Sequence, residues 1–358
     1  MPETSAQSVS SGLSRRNLML SAAALGGAGG LTVAGAGAAT AVERKLKTDV
    51  SLAIASTTQV ATTTAVTGSG SAKWNGHQPG KIYFGTVCKG DMSGSMRRAG
   101  GAFGANRTFY KWSEFNREAR NIRADHNANR LPWVSFKPPT RVLGIWKRIA
   151  SGAFDADIRA RARHYAQFAK PVMVTFNHEP QTDVPALGTG EEFAAAWCRI
   201  HDVMKAETGL KNIVSTPIIG EWVFSPINRK HDPEQFATRA LMNRCDVFGI
   251  DVYQTKTNET YGDRVVRVLD YLDSNGHSDK MLGIGETGAA NGVGTMSSDT
   301  WWTKSWNWAA NNTNRLSVVC YFDLVAPDGL DGYWPIDETW AKQKAIRASR
   351  GSDISCYL

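Results

Sequence analysis

The sequence predicts an α/β protein folded as a (β/α)8 TIM barrel, and two observations support this prediction. From residue 81 onward, eight short apolar segments of β type alternate with segments that have the periodicity of helices. Most of the short segments are apolar throughout, which is typical of strands buried on both faces of a parallel sheet. Eight strand–helix units in succession make up this barrel, which typically takes about 250 residues.

The predicted strands follow one another at the spacing that a barrel needs. In chain order they cover residues 82–87, 108–112, 131–136, 172–177, 212–217, 247–252, 281–285 and 317–322. Between them, helices are predicted over residues 155–169, 191–206, 260–275 and 299–310.

Several of the intervening segments carry signals for the start of a helix. Thr189 and Glu192 have the spacing of a capping box before the helix over residues 191–206. Asp232 precedes a proline, a residue favoured at the first position of a helix. The weakest region is 89–107, which is rich in glycine, so we expect an irregular connection after the first strand.

The N-terminal region is predicted to direct export. Arg15 and Arg16 precede a weakly apolar segment rich in Ala and Gly, so residues 1–41 fit a twin-arginine signal peptide. The segment is too short and too glycine-rich for a good membrane span, which favours export over a membrane anchor. Residues 42–80 are predicted to be a flexible linker, and residues 81–358 the barrel domain. We therefore expect a secreted protein, extracellular or associated with the cell wall, without a membrane span after signal removal.

Charge and cysteine content narrow the classes of partner. The formal net charge is +8, but the basic residues are scattered, which favours a solvated surface over a nucleic-acid interface. The five cysteines lack the spacing of a metal site, so we predict no bound metal. We also predict that the protein needs no cofactor and is a monomer. An oxidising exterior allows up to two disulfides. Cys88 and Cys320 lie on the first and last predicted strands, neighbours in a closed barrel, so they are a candidate pair.

Two glutamates follow directly on buried strands. Glu179 ends the fourth predicted strand and Glu286 the seventh. A carboxylate is costly to desolvate, and active sites of these barrels form at the carboxyl ends of the strands. Strands four and seven lie on opposite sides of the barrel mouth, so the two carboxylates can face one cleft. Such a pair is what glycoside hydrolysis requires, while binding to a helix or an arginine is the structural alternative.

The position of these glutamates resembles the superfamily of retaining barrel glycosidases. Within it, His178-Glu179 is similar to glycoside hydrolase family 26, the β-mannanases, in which a histidine precedes the acid/base glutamate. Asp251 and Tyr253 after the sixth strand fit the same pattern. The resemblance covers roughly residues 81–345 and implies Glu179 as acid and base and Glu286 as nucleophile. It also implies that Tyr253 donates a hydrogen bond to the nucleophile.

The chain departs from the family 26 pattern in two places. Pro180 begins a segment that lacks the asparagine and tryptophan found after the histidine and glutamate of the family. The eighth strand ends without the tryptophan often found there. The resemblance therefore implies the hydrolysis of β-glycosidic bonds more strongly than it implies mannan as the substrate. β-Glucan and xylan are the alternative substrates.

Five residues are predicted to bind the substrate. Tyr253 is one of them. His178 either orients the acid or bonds a sugar hydroxyl, with a satisfied core imidazole as the alternative. Lys137 follows the third strand and either faces the cleft or forms a surface ion pair. Trp222 and Trp334 lie in loops after the fifth and eighth strands, where an indole can stack on a sugar ring.

Two other classes of function compete with a polysaccharide hydrolase. A non-catalytic barrel would bind sugar without cleaving it, but binding does not require a catalytic carboxylate pair. A metal-dependent esterase or deacetylase needs clusters of His and Asp at strand ends, and only His178 fits. Thr182 occupies the second histidine position of a His-Glu-x-x-His zinc motif. We therefore predict a secreted glycoside hydrolase acting on β-linked polysaccharide, with endo-β-1,4-mannanase as the form that the resemblance implies.

Overall fold

The computed structural model describes residues 74–324 and 334–358, and nine strands in this part of the chain form one parallel sheet. The strands are β1 (Tyr83–Val87), β2 (Ala105–Tyr110), β3 (Leu131–Phe136), β4 (Val172–Phe176), β5 (Ile213–Ser215), β6 (Ile218–Gly220), β7 (Val247–Tyr253), β8 (Met281–Gly288) and β9 (Leu316–Phe322). Their order in the sheet is β5-β4-β3-β2-β1-β9-β8-β7-β6. The predicted (β/α)8 class is confirmed.

The two ends of this sheet belong to one short stretch of chain, residues 213–220. β5 pairs with β4 and β6 pairs with β7. The two residues between them continue the pairing on both sides, because Thr216 N donates to Val174 O and Gly249 N donates to Pro217 O. Pro217 has no N–H to donate, which interrupts the ladder there. The fifth predicted strand therefore exists as two short strands that close the sheet on itself.

Ten α-helices lie in the described residues. They are α1 (Met92–Ala99), α2 (Phe115–Asn127), α3 (Ile145–Ala150), α4 (Asp155–Ala166), α5 (Gly190–Thr208), α6 (Pro233–Phe236), α7 (Arg239–Met242), α8 (Tyr261–Ser274), α9 (Ser298–Asn311) and α10 (Trp340–Arg350). The predicted capping box of Thr189 is present at the start of α5, and Asp232 caps α6 as predicted.

The connection after β1 differs from the irregular segment that we predicted. It contains α1, whose first turn is capped by the Asp91 side chain, which accepts a hydrogen bond from Gly94 N at 3.0 Å. The helix ends at Gly100, which adopts the left-handed conformation with φ of +73°. Glycine and serine inside the segment lower its helix propensity, so the helix depends on its caps and is not visible as a periodic pattern.

The candidate disulfide is not formed, and all five cysteines are free thiols. β1 and β9 are neighbours as predicted, but Cys320 pairs with Gly85, three residues before Cys88. Three residues along a strand span about 10 Å. A disulfide tolerates a Cα separation of only about 7 Å, so the pairing of Cys88 with Cys320 was wrong.

The predicted export signal, residues 1–41, and most of the predicted linker lie outside the described residues, so both stay predictions. The linker was predicted to extend to residue 80, and within its described part Trp74 is buried with its ring 5.9 Å from that of Tyr83. Among the helices that the structure describes, none is long and apolar enough to cross a bilayer.

Candidate active site

Every second residue of a strand points into the barrel, and this alternation decides which side chains reach the barrel mouth. Successive residues of a strand point to opposite faces, and Ala105 and Trp133 belong to the apolar cluster inside the barrel. Two residues further along β2 and β3, Arg107 Nη1 donates to Ser135 Oγ at 2.9 Å across the interior. Lys137 follows the end of β3 and continues the inward-pointing row of Trp133 and Ser135. The inward-pointing residues at the ends of these strands are therefore polar and lie just above the apolar interior.

Glu286 enters this polar layer through a β-bulge in β8. β7 and β8 pair Ile250 with Ile284 but Asp251 with Glu286, so Gly285 is an extra residue. A bulge bends its strand and re-aims the side chains beside it. Glycine leaves room for the Asp251 side chain here, because a Cβ on Gly285 would lie 2.6 Å from Oδ1 of Asp251 and would force that side chain to move. The bulge places Glu286 beside Asp251 on the inner side of the sheet.

The Glu286 carboxylate is buried and is held by two donors. The Tyr253 hydroxyl donates to its Oε2 at 2.7 Å, and Arg107 Nη2 lies 3.4 Å from its Oε1. The side chains of Arg107 and Glu286 are 0% and 3% exposed. A buried carboxylate needs a cation or hydrogen-bond donors to remain charged. Contacts to both oxygens also fix the orientation of the carboxylate, as a nucleophile requires.

Glu179 lies in a different setting, a tight turn that follows β4. Asn177 and Glu179 both have positive φ, +44° and +49°, in the left-handed region that residues other than glycine rarely adopt. The backbone of Glu179 is held on both sides, because its N–H donates to Ile218 O and its carbonyl accepts from Thr182 Oγ1. Its side chain is half-buried. Backbone strain of this kind concentrates at functional sites.

A series of contacts connects the ends of β4 and β8. His178, which precedes Glu179, is 8% exposed, and its ring lies 5.0 Å from the ring of Phe109. The guanidinium carbon of Arg107 lies 4.8 Å from the centre of the same Phe109 ring. Since Arg107 contacts Glu286, these contacts connect Glu286 to His178, which precedes Glu179 in the chain.

Lys137 faces this site, which was one of the two predicted alternatives. Its backbone N–H donates to Tyr110 O at 3.0 Å, which continues the pairing of β2 and β3 beyond Phe136. Burial lowers the pKa of the Lys137 ammonium. Three carboxylates act in the opposite direction, those of Asp183, Glu179 and Glu286. The ammonium therefore lies within the electrostatic reach of both predicted catalytic residues.

The two predicted sugar platforms differ in their position. The Trp334 ring lies 5.1 Å from the ring of Tyr253, and a Cβ on Gly288 would lie 2.8 Å from Trp334 Cε3. Trp334 is therefore next to the residue that donates a hydrogen bond to Glu286. Trp222 lies in a 3-10 turn after β6 with its ring 5.4 Å from His231, and no contact among the described residues joins it to either glutamate.

Arg107 and Phe109 lie at this site but were not among the site residues predicted from the sequence. The second strand was predicted to start at residue 108, so Arg107 was placed in the preceding connection, whereas β2 starts at Ala105. The alternation of Ala105, Arg107 and Phe109 was the available signal. A buried arginine in a strand is as costly to desolvate as a buried glutamate and points to a partner in the same way.

No family model matches this chain, and no curated protein sequence matches it. The structure is similar to a modular endo-β-1,4-mannanase from Cellulomonas fimi, with 13% identity, a TM-score of 0.54 and coverage of 78% of this chain and 72% of that one. It is also similar to a family 26 β-mannanase from Bacteroides ovatus, with 15% identity, a TM-score of 0.54 and coverage of 82% and 94%. A third similar structure is XacCel5A in complex with cellopentaose, with 12% identity, a TM-score of 0.56 and coverage of 75% and 99%. At these identities the likeness is one of fold, and at that level the predicted resemblance to barrel glycosidases is confirmed.

Proposed function

We propose that this protein is a retaining β-glycosidase that cleaves a β-linked polysaccharide. The observation that carries the proposal is the buried Glu286 carboxylate, which is held by Tyr253 and Arg107. A barrel that only bound sugar would have no use for a buried carboxylate oriented in this way.

The proposed reaction uses the two glutamates in separate roles. Glu286 attacks the anomeric carbon and forms a glycosyl ester, while Glu179 donates a proton to the departing glycosidic oxygen. In the second step Glu179 takes a proton from water, and this water displaces Glu286 from the sugar. Tyr253 and Arg107 contact the two oxygens of Glu286 and keep it aimed during the first step. The half-buried position of Glu179 suits a group that exchanges protons with substrate and water.

For the substrate, we propose a β-1,4-linked polysaccharide, with mannan as the specific form. The support is the His178-Glu179 motif and the two similar structures that are described as β-mannanases. Trp334, beside Tyr253, offers an aromatic surface for a sugar ring close to the nucleophile.

We also propose that the enzyme works outside the cell. The twin-arginine motif at Arg15 and Arg16, followed by a segment rich in Ala and Gly, supports export. In this proposal residues 1–41 are removed, residues 42–80 connect the export signal to the barrel, and the enzyme acts as a monomer on an external polysaccharide.

The experiment that tests the proposed function is a reducing-sugar assay on mannan, glucomannan, xylan, lichenan and β-1,3-glucan. We expect release from at least one of these polymers, and proton NMR should show the β-anomer of the product first. Early appearance of the α-anomer would contradict the retaining mechanism. Binding without release of sugar by the folded protein would identify a carbohydrate-binding barrel instead.

A further inference from the structure

Lys137 occupies a position at the barrel mouth that is directly above the support of the nucleophile. Leu131 and Trp133 point into the barrel, and Ser135 follows them and accepts the hydrogen bond from Arg107. Lys137 is the next residue of this inner row, and it is half-buried. Its side chain therefore extends into the cleft, in the layer where the substrate must lie.

In the described part of the chain, the ammonium group of Lys137 feels nearby carboxylates but is in contact with none of them. Across residues 74–324 and 334–358, no carboxylate lies within 4.0 Å of it and it donates no hydrogen bond. Asp183, on the same rim, is already bound by Arg141 at 2.5 Å and by Asn177 at 2.9 Å.

A second buried lysine shows what a structural role looks like in this fold. Lys342 on α10 is fully buried, and its ammonium lies 2.7 Å from Glu338 Oε2 and donates to Ala289 O at 2.9 Å. Lys137 has neither kind of partner. A partly desolvated charge is costly without one, so a ligand is the natural source of the missing anion.

The two glutamates do not supply the negative charge that Lys137 lacks. Glu286 is already paired with Arg107 and bonded by the Tyr253 hydroxyl. Glu179, as the general acid of the proposed reaction, carries its proton when the substrate binds. A neutral sugar hydroxyl would accept a hydrogen bond from Lys137 but would leave its charge uncompensated, whereas a carboxylate would do both.

We propose that Lys137 binds the carboxylate of a hexuronic acid unit, so that the ligand of this cleft is an acidic β-linked polysaccharide. The inference rests on the proposed function for the cleavage of this ligand, but the binding preference can be measured independently. A β-1,4-linked mannuronate chain has the mannan backbone with a carboxylate at C6, and it satisfies both the proposed linkage and the charge of Lys137.

The test compares acidic and neutral ligands that share a backbone. The probes are tetrasaccharides of β-1,4-linked mannuronate and glucuronate and their carboxyl-reduced forms. Binding is measured by calorimetry to Glu179→Gln, which mimics the protonated acid and prevents cleavage. We expect one acidic tetrasaccharide to bind at least ~10-fold more tightly than its reduced form. The preference should shrink between about 0.02 and about 0.5 M salt.

Two further variants assign the preference to Lys137. Lys137→Met in the same background should remove the preference, because the acidic tetrasaccharide loses much more affinity than the reduced form. Lys304→Met, which removes an exposed lysine on α9, should leave the preference intact. Circular dichroism establishes that each variant is folded.

Two results would overturn the inference. The first is equal or tighter binding of both reduced forms, and the second is a preference for acid that survives Lys137→Met. The proposed hydrolase is judged separately, by reducing ends released by the wild-type protein. Preferential binding of an acidic tetrasaccharide without any cleavage would support the role of Lys137 and refute the hydrolase.

Discussion

The ends of β8 and β4 carry the two glutamates in opposite kinds of environment. Glu286 is buried on a regular strand apart from one bulge, and Tyr253 and Arg107 contact its two oxygens. Glu179 is half-buried in a turn with left-handed backbone, and its main chain is bonded to Ile218 and Thr182. The two glutamates therefore differ in exposure and in backbone conformation.

The two environments suit different chemical roles. A nucleophile gains from a fixed orientation and from donors that keep it ionised. An acid that becomes a base must meet both the leaving oxygen and a water molecule, so it needs access to the cleft. Variants that change the surroundings of one glutamate and leave those of the other intact test this assignment of roles.

The largest effect is expected for Glu286→Ala. Loss of the nucleophile should lower kcat/KM on the preferred polysaccharide by at least ~10³-fold. The measurement is the rate of reducing-sugar release, with Glu191→Ala, an exposed glutamate on α5, as the control. Activity close to wild type would exclude Glu286 as the nucleophile.

Glu179→Ala should lower activity in a way that depends on the leaving group. General acid catalysis contributes about 10²- to 10⁴-fold, so polysaccharide cleavage should fall by about that factor. An aryl glycoside with an acidic phenol needs no proton in the first step, so its kcat/KM, which reports that step, should fall much less. Equal losses on both substrates would show that Glu179 is not the acid.

Arg107→Met should destabilise the fold, because it leaves the buried Glu286 carboxylate without its cation. Removal of one partner of a buried ion pair costs about 3–5 kcal/mol of unfolding free energy. Urea unfolding should show a smaller loss when Arg107→Met is made in a Glu286→Gln background. Equal losses in the two backgrounds would mean that Arg107 stabilises through packing on Phe109 and Trp133 instead.

Tyr253→Phe is expected to give the smallest effect. It removes one hydrogen bond to a charged group, worth about 1.5–3 kcal/mol, so kcat should fall by about 10- to 100-fold. The melting temperature should hardly change, because the ring still packs on Phe322 and Trp334. Tyr271→Phe, outside the site, is the control. A large fall in melting temperature would indicate a structural role for the hydroxyl.

Much of the fold could be predicted from periodicity, and the site only in part. The strand over residues 131–136 was predicted with its observed bounds, because a buried strand is apolar along its whole length. β2 was predicted three residues late, since Arg107 interrupts its apolar pattern. The bulge at Gly285 and the left-handed turn at Asn177 depend on contacts between strands and loops. Such contacts leave no periodic signal, so the supports of the glutamates were harder to predict than the glutamates themselves.

The split between β5 and β6 has a mechanical consequence for the two glutamates. The barrel is closed there by two strands of three residues each, and the Glu179 N–H is bonded to Ile218 in the second of them. Glu286 belongs to an eight-residue strand that is paired on both sides. Short segments with few hydrogen bonds open more readily than long strands in the core. Glu179 is therefore tied to one of the shortest strands and Glu286 lies in the longest, so we expect local opening to disturb the surroundings of Glu179 before those of Glu286.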